Sequence, residues 1–369
     1  MNSPDTSAGS TSTPRLRASL KTFPPYVPGK APKRIDGLAS FKLSSNENYL
    51  EPMPAVTNAM VAHAKNPAVY PDDGALALRT ELAERLGVSI DELVVTTGAS
   101  ELLVALTQIT SDATTEAIYP WPSFEMYPQT TGLAGSKRIE VPVRDDGRHD
   151  LDAMAAAITD RTSLIILCSP NNPTGPALRD DEVRQFLTRV PDHVLVALDE
   201  AYWEFATVEG LVNGVDLVAD HPNVVLVRTF SKAHALAGLR VGYALAHTAV
   251  IQGLLKAVIP FGVTDISQAA ALESLRHSEE VDVRAKEIAA VRDEFAHALR
   301  DQGWDVPEAQ GNFVWLPLGQ LSSAFEDACV EQAVAVRNLG DGVRISIGEQ
   351  EGLDRVLAVA AAFYSEHFG

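Results

Sequence analysis

From about residue 93 to residue 245, short β-branched runs alternate with stretches of helical composition, and this alternation constrains the fold more than any other feature of the chain. Strands are expected at residues 93–96, 116–119, 138–143, 164–168, 194–198 and 224–228. The pattern is that of an α/β protein: a mostly parallel central sheet with helices on both faces. An apolar stripe of Leu76, Leu78, Leu82, Ala83 and Leu86 predicts a helix that stops at Gly87. A second, longer helical stretch runs from about Ser267 to Gln302, and residues 313–316 and 343–347 read as strands of a smaller α+β domain. At 369 residues the chain exceeds the usual limit of one core. The expected division is a disordered tail (1–20), an arm contributing to the small domain (21–45), a large domain (46–265) and a small C-terminal domain (266–369).

Composition narrows the partners. Hydrophobic residues make up 46% and charged ones 21%, an ordinary globular balance. The formal charge of −19 opposes binding to nucleic acid or an anionic membrane, so an anionic substrate must be held by local arginines. Cys168 and Cys329 are far apart and lack metal-ligand spacing, which predicts neither disulfides nor a metal site and fits a reducing cytoplasm. No window approaches eighteen uninterrupted apolar residues, so no membrane span is expected. Arg15, Arg17 and Lys21 give the N-terminus a faint transit-peptide look, against which Asp5 and the missing amphipathic period argue.

The polar motifs fall at strand ends. Residues 223–228 deliver Thr229-Phe-Ser-Lys232 to the carboxyl end of a strand, where open α/β sheets place their ligands. An amine kept partly desolvated there loses its proton more easily and can bond covalently to an aldehyde, although an ordinary loop lysine is the competing reading. Ser169-Pro-Asn-Asn-Pro-Thr-Gly175 offers amide donors at the end of another strand, and taken alone it is also common turn chemistry. Asp199-Glu-Ala-Tyr202 puts a carboxylate at the sheet's rim with a phenol three residues on; an isolated aspartate there is often only a helix cap. Gly98-Ala-Ser100 opens a helix whose free N–H groups suit a phosphate. Together these segments supply an amine, a carboxylate for a protonated ring nitrogen, donors for a ring hydroxyl and a phosphate cradle. Those are the requirements of a pyridine-aldehyde phosphate cofactor.

In that order, residues 169–175, 199–202 and 229–242 make the chain resemble a fold-type I pyridoxal 5′-phosphate aminotransferase, of the class-II group that includes histidinol-phosphate aminotransferases. The resemblance spans residues 25–346. It implies that Lys232 bonds the cofactor's aldehyde carbon, that Asp199 pairs with the pyridine nitrogen, and that Asn172 and Tyr202 hydrogen-bond the ring hydroxyl. It likewise implies that Gly98, Ala99, Ser100, Thr229, Ser231 and Arg240 hold the phosphate and that Phe124 stacks on the ring. Tyr70 would reach the neighbouring subunit's phosphate in a homodimer, and Arg344 would clamp the substrate's α-carboxylate, with Asn312, Asn46 and Arg337 near the substrate.

Two donors compete within that family. Short segments around Phe23–Tyr26, Trp121 and Lys256–Val263 look like the aromatic (phenylalanine) branch known from actinobacteria, which implies aromatic L-amino acids (Phe, Tyr, Trp) with 2-oxoglutarate, giving 2-oxo acids and L-glutamate. The alternative is histidinol phosphate, whose phosphate Arg337 and Arg344 would meet. His234 is read as a loop histidine packed beside the cofactor. Other classes fit less well. A Ser/Lys acyl-transfer enzyme would want serine three residues before the lysine, where Thr229 stands, and no Gly-x-Gly-x-x-Gly fingerprint of a dinucleotide enzyme occurs. A cofactor-binding DNA regulator would need an appended module that neither the short tail nor the acidic charge suggests.

Overall fold

The structure, a computed structural model, describes residues 14–65 and 67–369; the tail expected at residues 1–20 lies outside them through residue 13. Strand β1 (Phe41–Lys42) and helices α1 (Pro54–His63) and α2 (Leu76–Leu86) come first. The main sheet follows with β2 (Leu93–Thr96), β3 (Glu116–Trp121), β4 (Lys137–Pro142), β5 (Thr162–Cys168), β6 (Leu195–Asp199), β7 (Val224–Thr229) and β8 (Gly242–Ala246). Helices α3 (Ala99–Thr110), α4 (Met126–Ala134), α5 (Leu151–Ala156), α6 (Asp180–Leu187) and α7 (Gly214–Asp220) run between its strands, and α8 (Thr248–Leu254) follows them. The remainder comprises α9 (Asp265–Arg276), α10 (Ser278–Asp301), β9 (Phe313–Leu316), α11 (Ser322–Glu331), β10 (Val334–Ala335), β11 (Arg337–Asn338), β12 (Val343–Ser346) and α12 (Gln350–His367).

The seven strands lie in the order β2-β8-β7-β6-β5-β3-β4. Strands β5, β6 and β7 are apolar and almost wholly buried, as strands must be when helices cover both faces. Their side chains divide between two clusters: Leu198 and Leu226 pack on one side of the sheet, Ala197 and Val227 on the other. Strand β8 pairs antiparallel with both β7 and β2 and is the one reversed strand of this sheet. It was absent from the expected strands, because its residues read as the tail of the lysine motif. A separate antiparallel sheet, β11-β12-β9, carries Arg337 opposite Arg344, and β1 pairs with β10.

Helix α2 ends as expected, with Gly87 in the left-handed region at φ 69°, where a Cβ is unfavourable. Leu78 and Leu82 are buried, whereas Leu76, counted in the apolar stripe, is exposed at the first position of the helix. The single helix expected over 267–302 is two helices broken at His277 (φ −109°, ψ 30°). The His277 ring nitrogen Nδ1 lies 3.0 Å from the carbonyl of Glu273, so the side chain takes part in ending α9. Residues 17–23 belong to the packed structure rather than to a tail: Arg17 donates to the carbonyl of Ala134, Arg138 donates to that of Thr22, and Phe23 lies against Gly132. Among the described residues no helix is long and apolar enough to cross a membrane, and no cluster of metal-ligating side chains occurs.

Candidate active site

A cavity of about 250 Å³ opens at the carboxyl ends of β5, β6 and β7 and is walled by the loop at Ser44–Glu47 and by Arg337 and Arg344. Parallel strands pointing the same way bring their terminal residues to one rim. Cys168, Asp199 and Thr229 therefore lie near one another although they are distant in sequence. Of the sequence-predicted residues, Ala99, Ser100, Phe124, Asn172, Asp199, Tyr202, Thr229, Ser231, Lys232, Arg240, Arg337 and Arg344 line this cavity. Gly98, Asn46 and Asn312 do not line it, but Gly98 lies against Arg240, Asn46 donates to the Tyr202 oxygen and Asn312 donates to the carbonyl of Asn46. Tyr70 does not line the cavity: the residue is 80% exposed and its ring lies tilted against that of Phe261, with centroids 4.8 Å apart.

At one end the start of α3 meets the turn that joins β7 to β8. A Cβ on Gly98, whose φ is 88°, would lie 2.7 Å from Nη2 of Arg240, and one on Gly242 would lie 2.6 Å from the backbone nitrogen of Ala99. Only residues without a side chain allow this approach. The hydroxyls of Ser100, Thr229 and Ser231 and the Arg240 guanidinium thus gather around the free N–H groups of the helix. Thr229 donates to the Ser231 hydroxyl at 2.9 Å, and Arg240 donates to the same oxygen at 3.3 Å.

Lys232 occupies the middle. Its Nζ donates to the carbonyl of Asn46 at 3.2 Å and to that of Ser45 at 3.4 Å, and lies 5.6 Å from the centre of the Tyr202 ring. Burial, reinforced by the Arg344 and Arg240 charges, pulls its pKa down to about 7, against the opposing pull of Glu47 and Asp199. On the cavity floor Asp199 is 3% exposed and accepts hydrogen bonds from Tyr127 Oη at 2.9 Å and from the Ala201 N–H at 3.2 Å. Burial raises its pKa to about 6 even though these neutral donors and Lys232 favour the charged form. Burial likewise raises the Tyr202 phenol, whose oxygen accepts from Asn46 Nδ2 at 3.1 Å.

The far wall is cationic. Arg344 donates to Asn172 Oδ1 at 2.5 Å and to the carbonyl of Ser44 at 3.0 Å, while its buried Nε has no partner among the described residues. Asn312 donates to the carbonyl of Asn46 at 3.2 Å, and its own buried carbonyl oxygen is similarly unpartnered. Arg337 differs. It donates to the carbonyls of Pro28 and Val27 and to both carboxylate oxygens of Glu125, at 2.7 and 2.8 Å. His234 packs against Phe230 and lies 2.7 Å from the Ser274 hydroxyl, and burial lowers its pKa to about 4.

Sequence reasoning missed Tyr127, Glu125, Ser45 and Glu47. For Tyr127 a signal existed: it follows Phe124 by three residues, the spacing that puts two side chains on one face of a helical turn.

The sequence profile described as "Aminotransferase class I and II" matches residues 40–359. An aromatic amino acid aminotransferase of Streptomyces coelicolor is 47% identical over 358 residues, covering 97% of this chain and 99% of that protein. One from Rhodococcus opacus is 47% identical over 351 residues, covering 95% and 96%. Among solved structures, histidinol-phosphate aminotransferase from Sinorhizobium meliloti in complex with pyridoxal 5′-phosphate superimposes with a TM-score of 0.84 at 25% identity, covering 97% of this chain and all of that one. A match across most of the chain, close relatives at nearly full length and a shared fold agree: the chain belongs to the class I and II aminotransferases, enzymes of fold type I that use pyridoxal phosphate.

Proposed function

We propose that this enzyme transfers the amino group of an aromatic L-amino acid (Phe, Tyr or Trp) to 2-oxoglutarate, releasing the aromatic 2-oxo acid and L-glutamate. One observation carries the reading: Lys232, Asp199 and the incompletely partnered Arg344 face a single cavity that also has aromatic wall from Tyr26, Phe124 and Tyr202. The aromatic donor is further supported by the names of the Streptomyces and Rhodococcus relatives.

The residues present fit the cofactor. Asp199 is a buried carboxylate whose hydrogen bonds come from neutral donors, and it would pair with a protonated pyridine nitrogen. Asn172 and Tyr202 would hold the ring hydroxyl, Phe124 would lie on the ring, and Gly98, Ala99, Ser100, Thr229, Ser231 and Arg240 would hold the phosphate. When bound, pyridoxal phosphate supplies an aldehyde carbon for amines and a cationic ring that accepts the electron pair released at the substrate's Cα. Arg344 clamps the α-carboxylate of the donor, with Asn46 and Asn312 beside it, and so fixes the direction of the Cα–H bond. Lys232 Nζ, with its pKa near 7, is part neutral at physiological pH and takes the Cα proton, then returns one as general acid. Tyr127 and the Ala201 N–H favour the charged form of Asp199 against the burial that opposes it.

The alternative donor, histidinol phosphate, has one observation in its favour: Arg337 lines the same cavity as Arg344, although Glu125 already holds its guanidinium. A panel of donors with 2-oxoglutarate tests the choice. Phenylalanine is expected to yield its oxo acid rapidly and histidinol phosphate little; the reverse order would sink the aromatic reading.

A homodimer is part of the proposal. Tyr70 and Phe261, in contact with each other and both exposed like Val69 and Ile259, offer an apolar surface that a second copy would cover, bringing Tyr70 to the neighbouring cavity. A monomer in sedimentation would refute it. Buried, unbridged Cys168 and Cys329 suit a reducing cytoplasm.

A further inference from the structure

Strand β12 turns two polar side chains against the loop at residues 43–46. Successive residues of a strand alternate in direction, so Arg344 and Ser346 share one face. Arg344 donates to the carbonyl of Ser44 at 3.0 Å, and the Ser346 N–H donates to that of Leu43 at 2.9 Å. Ser346 also grips Asn46 twice. Its hydroxyl oxygen accepts from the Asn46 N–H at 2.8 Å, and its hydroxyl hydrogen goes to Asn46 Oδ1 at 2.9 Å. Asn46 is buried at φ 51°, a left-handed conformation that asparagine tolerates better than most residues. Held this way, its amide turns Nδ2 towards the Tyr202 oxygen, 3.1 Å away. The three side chains form one directed chain of hydrogen bonds, from the three-stranded sheet to a phenol on the cavity wall.

Direction matters here because a phenol has one hydrogen. Tyr202 accepts from Asn46, so its own hydrogen is left to donate into the cavity. Were the Asn46 amide turned over, Oδ1 would face Tyr202 and take that hydrogen. The buried Ser346 hydroxyl would then lose its acceptor, which disfavours the reversed amide. We infer that Ser346 is a positioning residue for the cofactor: by ordering the Asn46 amide it makes Tyr202 a hydrogen-bond donor towards the ring oxygen of bound pyridoxal phosphate. The inference rests on the reading that Tyr202 holds the ring hydroxyl, and it adds the direction of that bond and the group that sets it. A donor at the ring oxygen favours its ionised form. Losing the donor therefore raises the pH at which the bound cofactor gives up its proton and changes absorbance.

The test follows the absorbance of holoenzyme against pH, without turnover. Tyr202→Phe, which removes the donor, should raise the midpoint by about one pH unit. Ser346→Ala should raise it by roughly half as much or more, while Ser346→Thr, which keeps the hydroxyl, should stay near wild type. Asn46→Asp has nearly the same shape but no amide hydrogen, so its carboxylate accepts the Tyr202 hydrogen and the midpoint should rise again. In the Tyr202→Phe background the Ser346→Ala shift should vanish, and the Asn46→Asp shift should shrink to what its charge alone causes. A hydroxyl that served only packing would move the midpoint equally in both backgrounds or not at all. Should Ser346→Ala fail to fold, the Asn46→Asp cycle decides alone. A midpoint that Tyr202→Phe moves but Ser346→Ala leaves within about 0.2 pH units overturns the inference and keeps Tyr202 at the ring oxygen, as do equal shifts in both backgrounds. A midpoint that Tyr202→Phe leaves unmoved removes that reading and this inference together.

Discussion

The floor and the far wall of the cavity handle charge in opposite ways. On the floor, Asp199 and Lys232 are buried among neutral donors and carbonyls, and their pKa values shift towards neutrality, to about 6 and about 7. On the wall, Arg337 is satisfied by protein groups before any substrate arrives. A charge left without a protein counter-ion is a site awaiting a ligand's charge; one already compensated shapes the cavity without demanding an anion. Arg344 stands between these cases, bound to Asn172 and Ser44 yet retaining a free Nε–H.

Substitutions on the floor should cost the most. Lys232→Ala is expected to lower kcat on the order of 10³-fold or more, by removing the group proposed to move the proton. Single-turnover rates of the cofactor-loaded variant check this, and near-normal rates would erase the distinction between floor and wall. On the wall, Arg344→Ala should cost roughly a hundredfold in kcat/KM with amino acids, the scale of a charge-assisted carboxylate contact. The loss should be far smaller with a simple amine, because that has no carboxylate to clamp. Tyr127→Phe removes one neutral donor from Asp199, so pyridoxal phosphate affinity should fall about tenfold, read by fluorescence titration of apoenzyme.

The smallest effect concerns pH. In apoenzyme the Asp199 carboxyl keeps its proton up to about pH 6, against an ordinary 3.8, so between those values the folded state binds more protons than the unfolded one. This group's contribution to stability is therefore full below the lower value and is lost as pH rises through the window. Asp199→Asn lacks that fall. Its denaturation midpoint should gain on the wild type from pH 4 to pH 6, and parallel curves would show that burial does not govern this carboxylate.

Much of the floor was legible in the sequence because its parts are local. A strand, then a polar motif at its end, recurs at Ser169, Asp199 and Thr229, and parallel pairing brings the three together. The wall was less legible. The Glu125–Arg337 pair joins residues 212 positions apart, and the bond from Ser346 to Asn46 spans 300, so no local periodicity announces either. Strand β8 escaped because its run is short and adjoins a motif that claimed its first glycine. The break at His277 escaped because composition on both sides remains helical, and the interruption lies in one side chain's contact with a carbonyl.

The reversed strand has a broader consequence. Turning β8 against β7 makes one hairpin bend out of Lys232, Ser231 and Arg240, so the lysine proposed to bond the cofactor and the groups proposed to hold its phosphate ride on the same excursion of backbone. On that proposal, seating the phosphate would also set the lysine, and a ligand that grips only one of them would stiffen both. Cofactor capture and catalytic readiness would in this way be a single mechanical event.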